Sequence, residues 1–110
     1  MTVSELLSLD MITAAGAEGE ADGEVTGVFC CDLLSVAMAR APEGSAWVTV
    51  MTNANVVAVA ALTEVSCVIL AEGFEYDAAA INAAKGRVTL LKSSAPVYET
   101  AVAVGALLHD

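Results

Sequence analysis

The sequence predicts an α/β fold in which helices pack on a mostly parallel sheet of about five strands. Three observations carry that expectation. Short β-branched apolar runs alternate with helix-patterned segments, Gly, Pro and Asp clusters separate them, and the interior is built from small residues. Of the 110 residues 57% are hydrophobic and only 5% aromatic, so Ala, Val and Leu must fill the core. Such residues let helices approach a sheet closely. The length fits one domain, taken as residues 1–110.

Thr2-Val3-Ser4-Glu5 has the spacing of a capping box, predicting a short helix through Leu9, and a brief strand follows at Met11 to Ala14. Residues 15–24 carry Gly16, Gly19 and Gly23 among Ala and acid, without periodicity, and read as a mobile surface loop. Val25 to Cys30 reads as a strand with a close approach or bulge at Gly27, and Asp32 as the cap of a helix presenting Leu33, Val36, Ala37 and Met38. Pro42-Glu43-Gly44-Ser45 is a turn signal.

Ala46 to Met51 is apolar at nearly every position and predicts a central strand, after which Thr52 or Asn53 can cap a helix from Ala54 to Leu62. Val65 to Ala71 predicts another buried strand with Glu72-Gly73 as its exit. Asp77 then caps a helix through Ala84 that Gly86 closes in a left-handed conformation. Val88 to Leu91 makes a fifth strand and Ser93-Ser94 a loop. Pro96 sits in the first turn of a last helix ending near Leu108. Right-handed crossovers are expected throughout.

Charge narrows the partners. The net charge is −10, and residues 1–32 contain seven carboxylates and no Lys or Arg, so the chain lacks the clustered cations that nucleic acid and anionic membrane surfaces require. Mean hydropathy is +0.71. The longest apolar run, Val56 to Leu62, is still far short of the ~20 residues that span a bilayer. No secretory signal pattern opens the sequence, and Cys30, Cys31 and Cys67 cannot form a closed disulfide set. Both features point to the cytoplasm. High apolar content in a short chain predicts a homodimer.

Catalytic signatures are missing. There is no P-loop and no dinucleotide fingerprint, and the one histidine, His109, stands where helix ends fray. Adjacent Cys30 and Cys31 do not have the spacing of a zinc site, so the three thiols read as small buried hydrophobes and no metal or cofactor is expected. The most suggestive polar group is Thr52-Asn53-Ala54-Asn55, at the junction of a central strand and a helix. With Asp32 and Ser35 it could line the carboxyl ends of the strands, where α/β sheets hold ligands. Ordinary helix capping explains Asp32, Thr52 and Asp77 equally well.

Glu24-Val25-Thr26-Gly27, Cys31-Asp32-Leu33-Leu34-Ser35, the block Ala46 to Ala60 and Val68-Ile69-Leu70-Ala71-Glu72-Gly73 together resemble the stand-alone DRTGG-domain family over nearly the whole chain. The resemblance implies a fold similar to the N-terminal domain of HPr kinase/phosphorylase and a regulatory role, with a weaker hint of redox regulation. It does not imply kinase activity, because the phosphate-binding loop belongs to the other domain of that enzyme. The expected function is therefore a non-catalytic regulatory or ligand-sensing domain for a nucleotide or small anionic metabolite, with Asp32, Ser35, Thr52, Asn53 and Asn55 as the candidate ligand residues. The alternative is a structural subunit of a larger complex that binds no small molecule.

Overall fold

The alternation of apolar runs and helical segments produces a three-layer α/β/α sandwich, seen in a computed structural model that describes residues 1–109. The elements run in chain order: a 3₁₀ turn at Val3–Ser8, β1 (Ile12–Ala17), β2 (Gly27–Cys30), α1 (Leu34–Arg40), β3 (Ser45–Thr49), α2 (Ala54–Thr63), β4 (Cys67–Leu70), α3 (Ala78–Ala84), β5 (Leu90–Ser93) and α4 (Val97–Leu108). The strand order is β1-β5-β4-β3-β2; β2 to β5 are parallel, and β1 runs antiparallel beside β5.

Period-two alternation sorts the strand side chains onto two faces. Trp47, Val68, Leu70 and Leu90 pack with Ala37, Val56, Val57, Val59, Ala60, Ala80 and Ala84, so α1, α2 and α3 cover one face. Val48, Ile69 and Leu91 pack with Val3, Leu6 and Val104, so the 3₁₀ turn and α4 cover the other. Each crossover from β2 to β5 steps the same way along the sheet, and crossovers of one hand then put their three helices on one side. Close packing depends on the alanines, whose small side chains bring the helices down onto Val and Leu.

The connection from β1 to β2 joins opposite edges and must cross beneath the amino ends of the strands between. Glu18 accepts from Gly86 N (2.8 Å), Gly19 N donates to Thr89 Oγ1 (3.0 Å), Glu24 O accepts from Ser66 Oγ, and Thr26 N donates to Gly44 O (2.9 Å). These partners lie just before β5, β4 and β3 in turn.

Several sequence expectations are corrected. Residues 15–17 belong to β1, and residues from 18 onward are bonded along the foot of the sheet as described, so 15–24 is not an open loop. Thr2 and Glu5 do not form a capping box; the Thr2 hydroxyl donates to Glu5 Oε1 (3.3 Å), and the turn they precede is 3₁₀. Gly27 shows neither a bulge nor a close neighbour, and β2 pairs with β3 in unbroken register. The fifth strand lies two residues later than expected, so Ser93 is a buried strand end rather than loop, and Pro96 is the residue before α4. Cys67 alone of the three thiols is buried; Cys30 is exposed and Cys31 partly so.

Candidate functional site

The parallel strands direct their carboxyl ends to one side of the molecule, and Asp32, Ser35, Thr52, Asn53 and Asn55 all follow the ends of β2 and β3 there. Asp32 is not a helix cap. Its Oδ1 accepts from Thr49 Oγ1 and from Val50 N, each at 2.8 Å, tying the end of β2 to the end of β3. Leu33 precedes α1 and supplies no side-chain cap. Of the two capping choices for α2 the structure uses Asn53, whose Oδ1 accepts from Asn55 N at 3.0 Å, and the Thr52 carbonyl instead accepts from Asp77 N. Asp77 occupies the position before α3 without a side-chain cap bond. Ser35, Asn53 and Asn55 are exposed.

The rest of this side is closed by its own hydrogen bonds. Glu72 adopts φ 67° and accepts at Oε2 from Val97 N (3.1 Å), so β4 is clamped to the start of α4. Ser93 Oγ and Thr100 Oγ1 pair at 2.7 Å inside the core, and Trp47 Nε1 donates to Cys31 O at 2.9 Å. One direction of crossover leaves no reversal of strand order among β2 to β5, and that reversal is what opens a crevice in doubly wound sheets.

Two clefts lie at the opposite end. Between Ala14 and Ala17 the β1–β5 register shifts, and Gly16 takes φ 90° to carry the chain around the irregularity. A bulge of this kind turns the strand away from its partner. A cleft of about 620 Å³ opens there, walled by Val3 and Leu7, by the 16–22 segment and by Lys85, Gly86 and Thr89. A second, of about 320 Å³, shares Gly19, Glu20, Ala21 and Thr89 with it and adds Glu64, Ser66 and Arg87. None of the five candidate residues lines either cleft.

The electrostatics are mixed. Among the described residues Lys92 is the one Lys or Arg with an ion pair, to Glu75 at 2.8 Å, so Lys85 and Arg87 face the clefts without a bound carboxylate. Asp22 accepts from Ser4 N (2.9 Å) and Ser4 Oγ (2.6 Å), and those bonds hold its carboxyl below the usual range. Sequence reasoning missed this end because it treated the Gly-rich stretch as unstructured. The available signal was the pair Lys85 and Arg87 around Gly86 in a chain with four cations.

Nucleophilic equipment is poorly placed. Burial pushes the Cys67 thiol up to about 12, burial and the Asp32 charge raise Cys30, and burial raises Tyr76. The Tyr76 hydroxyl donates to the Leu91 carbonyl at 2.9 Å, with the Val68 carbonyl at 3.1 Å. His109 is exposed at the end of α4. Among the described residues no group of three or more His, Cys, Asp or Glu side chains could hold a metal ion, and no helix is long and apolar enough to cross a membrane. No protein-family model, curated protein or solved structure matches the chain.

Proposed function

We propose that this chain is a non-catalytic, ligand-sensing regulatory domain, and that its ligand sits in the cleft beneath the β1 irregularity. The observation that carries the reading is the cleft itself. Its volume of about 620 Å³ falls in the usual range for small-molecule sites. It combines an apolar wall (Val3, Leu7, Leu90), glycine-rich backbone and an ammonium group with no ion pair. Glu18 and Glu20 on the same wall oppose a fully charged anion, whereas a molecule with both donor groups and one phosphate or carboxylate meets both signs. Nucleotides and small phosphorylated or carboxylated metabolites have that chemistry. Membership of the DRTGG-domain family, and with it a cytoplasmic regulatory role, is part of the same reading. The raised Cys30 and Cys67 thiols and the exposed terminal histidine support a binding role over a catalytic one.

A second seat for the same ligand class is the carboxyl-end rim. There the side chains of Ser35 and Asn55 and the free Oδ2 of Asp32 make no hydrogen bond among the described residues. A thermal-shift screen of nucleotides and phosphorylated metabolites separates the two seats. Lys85→Ala is expected to abolish the shift and Asn53→Ala with Asn55→Ala to leave it; the reverse result moves the ligand to the rim. No shift across the panel, together with a fixed stoichiometric protein partner, replaces the sensing role with a structural one.

A further inference from the structure

We propose that the free edge of β2 is where a second copy of this chain docks, β2 pairing antiparallel with its counterpart about a two-fold axis to form one continuous sheet.

The edge is unprotected. β2 bonds only to β3, and Gly27, Val28, Phe29 and Cys30 carry no charge, proline or register irregularity. Natural sheets normally blunt a free edge with such devices. The other edge, β1, has one at Ala14–Ala17.

Apolar side chains flank β2 on both faces. α1 turns Ala37 and Leu34 toward the core, so helical geometry places Val36 (37% exposed) on its outer side, and Leu33, the extended residue before the helix, is 59% exposed. α4 packs over β2 from the other face, burying Thr100 and Val104 and leaving Tyr98 (74%) and Val102 (52%) open. With right-handed crossovers, the Val36 and Arg40 flank of α1 lies toward the outer side of β2, while Tyr98 and Val102 lie on the face of α4 turned away from the sheet.

Charge complementarity names the occupant. A chain of net charge −10 repels its own copy wherever acid faces acid. At this edge each α1 instead carries Asp32 before its first turn and Arg40 in its last, and among the described residues neither makes an ion pair. A two-fold axis through β2 lays the two α1 helices side by side in opposite directions. Asp32 of each copy then stands beside Arg40 of the other. The lengths agree: the six steps of ~1.5 Å from Leu34 to Arg40 come to ~9 Å and the three steps of ~3.3 Å along β2 to ~10 Å. A single axis can therefore pass through the middle of both elements, giving the self-complementary contact that a two-fold interface requires. This inference is independent of a ligand in the cleft beneath β1, whereas a ligand held by Asp32 at the rim would compete with the Arg40 pair.

Light scattering on the full chain at tens of micromolar is expected to give twice the 11.1 kDa monomer mass. Val36→Lys is expected to return the mass to that of the monomer with an unchanged circular-dichroism spectrum, and Arg40→Glu to weaken association at least tenfold. Leu62→Lys, on an equally apolar exposed site of α2 (66%), is expected to leave the dimer intact. Amide exchange at Val28–Cys30 should be slower in the parent protein than in Val36→Lys. A parent that stays at 11.1 kDa overturns the proposal, as does a dimer that survives Val36→Lys or dissociates with Leu62→Lys.

Discussion

The two ends of the sheet differ in how their polar groups are engaged. At the carboxyl end several side chains bond to neighbouring elements: Asp32 to Thr49 and Val50, Asn53 to Asn55, Glu72 to Val97 and Ser93 to Thr100. At the amino end one long connection crosses three strands, held by Glu18, Gly19, Glu24 and Thr26, and the clefts open between those points. The lesson concerns topology. Parallel sheets bind ligands at their carboxyl ends where the strand order reverses. Here β2 to β5 advance in one direction, so that end closes, and the break comes where antiparallel β1 leaves its partner.

Predictions that test this contrast run from large effects to small. Trp47 anchors the closed end, fully buried and donating to Cys31 O. Trp47→Ala is expected to cost about 3–5 kcal/mol in chemical denaturation. A loss below about 1 kcal/mol would show that the closed end does not depend on it.

Alkali is expected to act on the middle of the sheet, where Cys67 lies. Its pKa is raised on folding from 9.0 to about 12, so the neutral thiol's contribution is complete below about pH 9 and is lost as pH climbs toward 12. Full ionisation corresponds to about 4 kcal/mol. Melting temperature should fall over that window and fall less in Cys67→Ala; parallel curves for the two proteins would remove Cys67 as the cause.

Asp32→Ala removes the acceptor of the buried Thr49 hydroxyl, which keeps only the bond it accepts from Met51 N, and of the Val50 N–H, and is expected to cost about 1–3 kcal/mol. If Asp32 served only a ligand, its removal would leave unfolding unchanged. Asn53→Ala should cost about 1 kcal/mol through the lost cap, with Thr52→Ala within about 0.5 kcal/mol of the parent. Equal losses would mean that Thr52 shares the cap. At the open end, Lys85→Ala is expected to move stability by no more than about 0.5 kcal/mol, since no ion pair is lost. A larger change in the denaturation midpoint would make Lys85 a structural residue.

How much was legible in the sequence differs by scale. Element type and order followed from periodicity: the apolar runs around Trp47 and Ile69 are β3 and β4, the Ala- and Val-rich segments between turns are helices, and Gly86 takes φ 75° as its place after α3 required. These are local properties, set within a few residues by side-chain alternation and backbone sterics. The candidate rim was legible to the extent that all five residues do follow β2 and β3.

Tertiary structure decided the rest, because the deciding bonds join residues far apart in the chain. Asp32 looks like a helix cap to any local reading; only the approach of β3, seventeen residues later, gives its carboxylate a better pair of donors. Ala15–Ala17 have no strand pattern and become strand because β5 offers an edge, where Ala14 pairs with Leu91 and Ala17 with Leu90 on either side of the register shift. The Gly- and acid-rich segment after them is ordered by Thr89, Gly86 and Ser66, distant residues that arrive only when the sheet assembles. The sequence by itself determined which segments would be strand or helix and that they would layer; the order of the strands determined which end of the sheet closes and where the clefts form.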